Sequence, residues 1–523
     1  MTEPGRHEDP VRPLHPPVSA GRRDGDVPER ADARETHTAM LFFAGDRVYK
    51  RKKPVDLGFL DYTTPASRRA ACEREIELNR RFAPDVYLGL GELRTPGEEE
   101  AEPLVVMRRM PAGLRLAHLV RTGAPVDSAL RAVARQLAVW HAAAPRDPVI
   151  AEQGTREALS SRWEAGFAQV AALADEGPAL DGTAETERLV RRYLAGRKPL
   201  FDARIGQGRV VDGHGDLLAD DIFCLDDGPR ILDCLEFDDR LRHVDGLDDA
   251  AFLAMDLERL GAPESAAFFL AQYGEYSGDP APPSLWHHYV AYRAFVRAKV
   301  SLIQARQGAP GAQAVAQRLA AMALRHLRTS VVRLTLVAGL PGSGKSTLSG
   351  ALADRLGAVL LSSDRLRKEM AGLPAEQPAA AGYGEGLYSP EWTARTYAEL
   401  LDRAGALLLQ GESVVLDATW IDSAQRERAL RTAERTSADL VALHCHVPEE
   451  TAAARLSTRA PGASDADLGV AGDMAAREQP WPEAVAVDTS GSLESAVAQA
   501  LAAVRPWGPD QAKILRRPYM EPD

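Results

Sequence analysis

Cysteine is scarce in this chain. The four present among 523 residues (Cys72, Cys224, Cys234 and Cys445) never form a CxxC pair. That spacing argues against a structural zinc site or a disulfide framework and leaves buried thiols as the expectation. Long apolar runs are missing as well: stretches such as Val331–Leu340 and Ala404–Leu409 fall far short of the roughly 20 residues a membrane span requires. No apolar segment follows the N-terminal charges, so a secretory signal is not expected and the chain should be cytoplasmic. Positive charge is not in excess either. Sixty-three Lys and Arg against 75 Asp and Glu leave a net charge of −12, which disfavours broad nucleic-acid binding and leaves only a local basic patch for it.

At roughly 150 residues per domain, this length implies two to four units. Residues 1–35, rich in Pro, Arg, Asp and Gly, cannot bury enough apolar surface to offset their ordering entropy and are expected to be a disordered tail. Order should begin near Thr36. Met40–Phe43 and Arg47–Lys50 flank Gly45-Asp46 and read as a hairpin, Ser67–Phe82 as a helix, and Leu104–Met107 as a short strand. From Asp127, a plausible N-cap, apolar residues at Leu130, Val133, Leu137 and Trp140 mark an amphipathic helix. Helical patterns continue over 155–175, 184–196, 247–260, 263–277 and 285–307, interrupted by short strands near 209–212, 222–225 and 230–232. The pattern is an α+β domain with two lobes, placed at 36–328. After the loop Gln307–Gln313 and an Ala-rich helix, strands and helices alternate from Val331, which indicates a parallel α/β domain over 330–505. Residues 506–523 read as a C-terminal tail.

The second domain opens on Gly339-Leu-Pro-Gly-Ser-Gly-Lys-Ser346, a full GxxxxGK[ST] motif between an apolar strand and a helix. Its glycines let backbone N–H groups turn inward on a phosphate, the helix N-terminus adds its dipole, Lys345 reaches the β- and γ-phosphates, and Ser346 should ligate Mg²⁺. The nucleotide-binding set is Gly339, Leu340, Pro341, Gly342, Ser343, Gly344, Lys345, Ser346 and Thr347. Asp364 follows the second strand, where a carboxylate can accept the proton of an acceptor hydroxyl, although Asp also suits a helix start. Asp417 ends the strand Val414–Leu416 and fits an acid that orients Mg²⁺. Arg455 and Arg459, at i and i+4 on one helix, fit a lid bringing guanidinium groups to a transferring phosphoryl. The segments GLPGSGKS, LLSSDRLRK and VVLDATW resemble the P-loop kinases of the gluconate kinase, chloramphenicol phosphotransferase and polynucleotide kinase group, over roughly 331–505. The resemblance implies that Asp364 contacts or deprotonates the acceptor. Trp420 stands where polynucleotide kinases tend to have Asn, which weakens a nucleic-acid reading.

The first domain carries a second constellation. His214-Gly-Asp216 lies five residues before Asp221, and Ile231-Leu-Asp233 follows a short strand pair, the spacing of a protein-kinase catalytic loop and its metal-binding aspartate. Asp216 would orient or deprotonate the acceptor; Asp221 and Asp233 would hold the metal. By the same order Lys50 would pair with Glu73 on the following helix, with Lys52, on the same strand face, as the rival lysine. Thr36-His-Thr38, Val48-Tyr-Lys-Arg-Lys-Lys-Pro54, His214-Gly-Asp216 and Leu232-Asp-Cys-Leu-Glu-Phe237 resemble the aminoglycoside phosphotransferase family over roughly 36–328, closest to the branch fused to a P-loop kinase. The resemblance implies ATP and Mg²⁺, with adenine held after Val105-Val-Met107. Asp221 replaces the family's metal-binding Asn; Asp still ligates Mg²⁺ but makes turnover less certain.

The expected protein is therefore a two-domain ATP- and Mg²⁺-dependent phosphotransferase acting on a hydroxyl of a small molecule. The acceptor and the oligomeric state are not legible. Two rivals remain: an ATP-binding regulatory protein with a degenerate first domain, and a nucleic-acid end kinase using a basic groove near Arg365, Arg367 and Lys368.

Overall fold

The computed structural model describes residues 32–36, 38–56, 60–94, 100–175, 179–374, 377, 385–458 and 468–505. Most of the N-terminal tail, all of the C-terminal one, His37 and Arg459 lie outside these. The chain divides into two compact units, Met1–Arg146 with Val211–Ser277, and Asp147–Val210 with Gly278–Asp523. No helix among the described residues is long and apolar enough to cross a membrane.

In the first unit, β1 (Asp32–Glu35), β2 (Ala39–Ala44), β3 (Arg47–Lys52), β4 (Tyr87–Leu93) and β5 (Glu102–Arg108) form an antiparallel sheet in the order β1-β2-β3-β5-β4. The expected hairpin is present, Ala44 facing Arg47 across Gly45-Asp46. Order begins before Thr36, because Asp32–Glu35 pairs along β2 from Asp32 opposite Phe43 to Glu35 opposite Met40. Backbone pairing, not side-chain burial, makes this polar segment a strand. The helix Pro65–Asn79 starts where Thr64 Oγ1 accepts from the Ser67 N–H, with Pro65 in the first turn. Its Cys72 and Ile76 pack with Ala83, Val86, Tyr87, Val105, Phe223 and Leu232. That core joins the sheet to the segment 210–245, where β6 (Val210–Asp212) pairs with β9 (His243–Asp245), and β7 (Ile222–Leu225) with β8 (Gly228–Ile231).

The second unit holds β10 (Arg333–Ala338), β11 (Val359–Ser362), β12 (Val414–Asp417), β13 (Asp439–His446) and β14 (Val485–Asp488), all parallel, in the order β11-β12-β10-β13-β14. Central β10 is buried along its whole length, as a parallel strand covered on both faces must be. Six helices from earlier in the chain among the described residues, including Thr183–Ala195, Lys198–Gly206 and Pro283–Arg306, belong to this unit too. Buried Arg197 donates from Nη1 to the Thr436 carbonyl at 2.8 Å, and Ser284 Oγ to the Gly411 carbonyl at 2.7 Å. Arg192 reaches the Ala438 carbonyl and pairs with Asp439 at 2.6 Å. A Cβ at Gly196 would sit 2.2 Å from the Thr436 oxygen. Position 330, where the sequence pattern changes, lies inside this unit. Local periodicity marks the change of element type but does not reveal which surface a helix packs on.

Burial holds the Arg197 guanidinium down to about 10, below its ordinary value. Arg197→Ala strands the Thr436 carbonyl and should destabilise the second unit by about 2 kcal/mol. Lys198→Ala, which removes only an exposed i,i+4 pair with Asp202, should cost under about 0.5 kcal/mol. Denaturant unfolding of the full chain distinguishes the two.

Candidate active sites

The two-residue period of β3 puts Lys50 and Lys52 on one face, and the adjacent helix presents Glu75 to both. Lys50 Nζ lies 2.8 Å from Glu75 Oε1 and Lys52 Nζ 2.7 Å from Glu75 Oε2. Lys50 also meets Asp233 Oδ1 at 2.7 Å, while Lys52, only 1% exposed, pairs with Glu236. The expected partner Glu73 is instead exposed. Cys72, Glu75, Ile76 and Asn79 share the buried face of this helix, and Glu73 is rotated about 200° from Glu75. Helical phase was the signal that could have chosen between them. Burial alone would raise the Glu75 carboxyl; the two ammonium groups overcome it and hold it below its ordinary value. Burial likewise works against the Lys50 charge, and Asp233 and Glu75 reverse it, leaving Lys50 well above its usual value.

Asp233 sits in the left-handed region at φ 63°, a conformation that costs a non-glycine residue about 1–3 kcal/mol unless its surroundings enforce it. Here its N–H donates to Tyr87 Oη at 3.1 Å, and the next N–H, of Cys234, to Asn79 Oδ1 at 2.9 Å. Lys50 keeps the solvent-exposed Asp233 carboxyl below its ordinary value. Asp221 shows the opposite. Burial, then the charges of Asp233 and Asp216, push it well above the usual range, with Arg115 opposing. The three aspartates expected from spacing therefore lie near enough for the charges of Asp216 and Asp233 to act on Asp221, and such a gathering of carboxylates suits a divalent cation. Among the described residues no three acids, His or Cys already form a metal cage; Mg²⁺ typically takes one or two carboxylates plus phosphate and water.

Asp249 was not singled out from the sequence. It lies on the buried helix Gly246–Arg259 and accepts from the N–H groups of His214, at 2.6 Å, and Gly215, at 2.9 Å. Seven residues on, Asp256 accepts from the Ala219 N–H at 3.0 Å. The signal was present: acids within an otherwise apolar helix need buried donors. Met107 lies on β5 opposite Val48 and Tyr87. The following Arg109–Ala112, with Phe43, Asp46 and Arg115, lines a pocket of about 350 Å³.

In the second unit the loop Gly339–Gly344 joins β10 to the helix Lys345–Leu356. Gly342 has φ 81°, and a Cβ there would lie 2.7 Å from the Ala452 carbonyl, so the helix Glu449–Thr458 packs directly on the loop. From that helix Arg455 donates to the Thr489 carbonyl at 2.7 Å, and Thr489 in turn donates to the Ser343 carbonyl. Lys345 is buried, whereas Ser346 and Thr347 are exposed. Asp417 ends β12 with Oδ1 buried and lacking a hydrogen-bond partner. Burial raises its carboxyl; Lys345 and the Ser346 and Ser362 hydroxyls pull the other way, and Asp364 adds to the rise. A buried carboxylate oxygen with spare lone pairs beside Ser346 fits a hard cation. Asp364 occupies the first turn of the helix Ser363–Met370, half-buried. Of the anticipated basic groove only Arg365 is exposed; Arg367 and Lys368 are buried. Trp420 is buried with φ 54°, edge-on to Tyr397 at 5.1 Å.

The fold and these constellations define a chain that joins a protein-kinase-like α+β unit to a P-loop domain on a parallel sheet. Residues 334–480 match the AAA domain family. Over 471 residues the chain is 45% identical to uncharacterized proteins of Mycobacterium tuberculosis and Mycobacterium bovis, covering 90% of this chain and 94% of theirs, and it belongs to their family. Among solved structures, a gluconokinase from Sinorhizobium meliloti is similar at 20% identity, over 33% of this chain and 91% of that one, with a TM-score of 0.25. A choline/ethanolamine kinase family protein from Mesorhizobium loti is similar at 16% identity, over 58% and 93%, with a TM-score of 0.33. A choline kinase from Cryptosporidium parvum is similar at 9% identity, over 57% and 88%, with a TM-score of 0.38.

Glu75→Gln leaves both ammonium groups short of a counter-charge and should destabilise the first unit by about 3 kcal/mol or more; Glu73→Gln should be near neutral. Glu75 has a depressed carboxyl, so its contribution is complete above the ordinary carboxylate range and is lost as pH falls through its folded value. The gap between wild type and Glu75→Gln should therefore narrow on acidification, as urea titrations at several pH values will show.

Proposed function

We propose that the chain is an ATP- and Mg²⁺-dependent phosphotransferase with one nucleotide site in each unit, each passing the γ-phosphoryl to a hydroxyl of a small molecule. The observation that carries the reading is Lys50, which ion-pairs at once with Glu75 and with Asp233, the aspartate whose charge, with that of Asp216, also acts on Asp221. Such a lysine is held at the point where nucleotide phosphates must be neutralised. The phosphate loop with Lys345 supports a second site of the same class.

In the first site Asp221 and Asp233 would hold the cation, and Asp216 would orient the acceptor. In the second, Ser346 and Asp417 would hold it, Asp364 would face the acceptor, and Arg455 would lie over the phosphates. Bound Mg²⁺ supplies charge neutralisation of the phosphate oxygens. In either site the acceptor oxygen attacks the γ-phosphorus, the bond to the β–γ bridging oxygen breaks, ADP leaves, and the acceptor proton passes to Asp216 or Asp364. Arg459 is proposed as the partner of Arg455, and Met107 as a contact of the base.

Calorimetry of a Mg²⁺-bound, non-hydrolysable ATP analogue on the full chain tests this. Wild type should bind two equivalents, Lys345→Ala and Asp233→Ala one each, and the double variant none. Asp216→Asn should keep two while losing transfer in the first site, because only the acceptor's proton path is damaged. A single equivalent on wild type, abolished by Lys345→Ala, would leave the first unit as a degenerate binding module.

A further inference from the structure

The first unit contains a cavity of about 640 Å³ walled by the helix Asp127–Ala143 together with Arg81, Pro229 and Tyr276. Its composition runs against that of the chain. The protein carries a net charge of −12, yet the wall holds three guanidinium groups, Arg81, Arg131 and Arg135, with no Asp or Glu. Arg131 and Arg135 are one helical turn apart, so both project on the same side. Arg135 has no acidic or hydrogen-bonding partner among the described residues; Arg131 donates from Nε to Gln272 Oε1 at 3.0 Å and lies 5.6 Å over the Phe268 ring, which leaves its terminal N–H groups to offer.

The rest of the wall mixes Val139, Trp140, Pro229 and two alanines with the uncharged polar Ser128, Gln136 and Tyr276, and it is partly fixed. Val139, on the same helix face, is 64% exposed. Arg81 stands 5.0 Å from the Trp140 ring and is held there by Asp212 Oδ2 at 2.7 Å. Charge and volume thus agree: three guanidinium groups line a largely apolar recess without an acid, of the size small-molecule sites usually have. Guanidinium groups suit phosphate oxygens in paired hydrogen bonds, and two of them without an acidic partner on one anion favour a dianion over a carboxylate.

We propose that this cavity binds a phosphate monoester with a flat apolar body. Arg131 and Arg135 hold the phosphate, and the body lies against Trp140, Val139 and Pro229. The proposal does not depend on the nucleotide sites.

The test titrates phenyl phosphate into the full chain by calorimetry, with saturating Mg²⁺ and a non-hydrolysable ATP analogue filling any nucleotide site. Benzoate and benzyl alcohol serve as comparison probes. Phenyl phosphate should bind saturably, benzoate more weakly and benzyl alcohol not at all. Arg135→Ala removes a charge-assisted contact, and Val139→Glu places a carboxylate at the mouth; each should weaken phenyl phosphate roughly tenfold or more. Both positions are exposed, so the fold tolerates them. Absence of saturable binding, or unchanged affinity in both variants, would overturn the site. Benzoate binding as tightly as phenyl phosphate would overturn the assignment to a phosphate.

Discussion

One half-buried and one fully buried ammonium group, Lys50 and Lys52, and the fully buried carboxylate of Glu75 set the geometry of the first unit. Each charge loses its water, so the cluster is tolerable only while all members stay within contact distance. That requirement fixes the phase of the helix Pro65–Asn79 against β3. Through Asp233 and Glu236 it also fixes the segment following β8. The left-handed backbone at Asp233 is sustained by the same group of contacts. Local strain is thus tied to a charge network that cannot relax by moving one member alone.

A second layer of constraint comes from the backbone itself. The loop His214–Ala219 is suspended from Asp249 and Asp256 through main-chain N–H groups, so its shape follows the helix beneath and not its own side chains. In the phosphate loop, Gly342 lets the Ala452 carbonyl approach where any side chain would collide. Arg455 and Thr489 then tie that loop to the sheet's far strand. In both units, rigid elements with few conformational choices position the polar groups, the arrangement that preorganised electrostatics needs.

Much of this was readable residue by residue. The phosphate loop, Asp417 at a strand end, Asp364 in the first turn of a helix, and the spacing of Asp216, Asp221 and Asp233 are local patterns, and the structure brings each group together. Other features left weak local traces. β4 carries two glycines in Tyr87-Leu-Gly-Leu-Gly-Glu-Leu and does not read as a strand, and β1 is polar; both exist because neighbouring strands pair with them. Glu73 and Glu75 are chemically alike and two residues apart, so only the buried face of their helix chooses between them.

Sequence alone determined the chemistry on offer: a glycine-rich loop before a lysine, acids at fixed spacings, and strand and helix periods that name two fold classes. These are properties of contiguous residues, governed by local sterics and solvation. Tertiary structure decided which charges meet, that Glu75 serves both lysines, that Arg367 and Lys368 are buried, and that 147–210 and 278–329 join the P-loop sheet in one compact unit. Those outcomes depend on surfaces brought together from distant parts of the chain, where burial changes the energy of every charge and no local pattern records the partner.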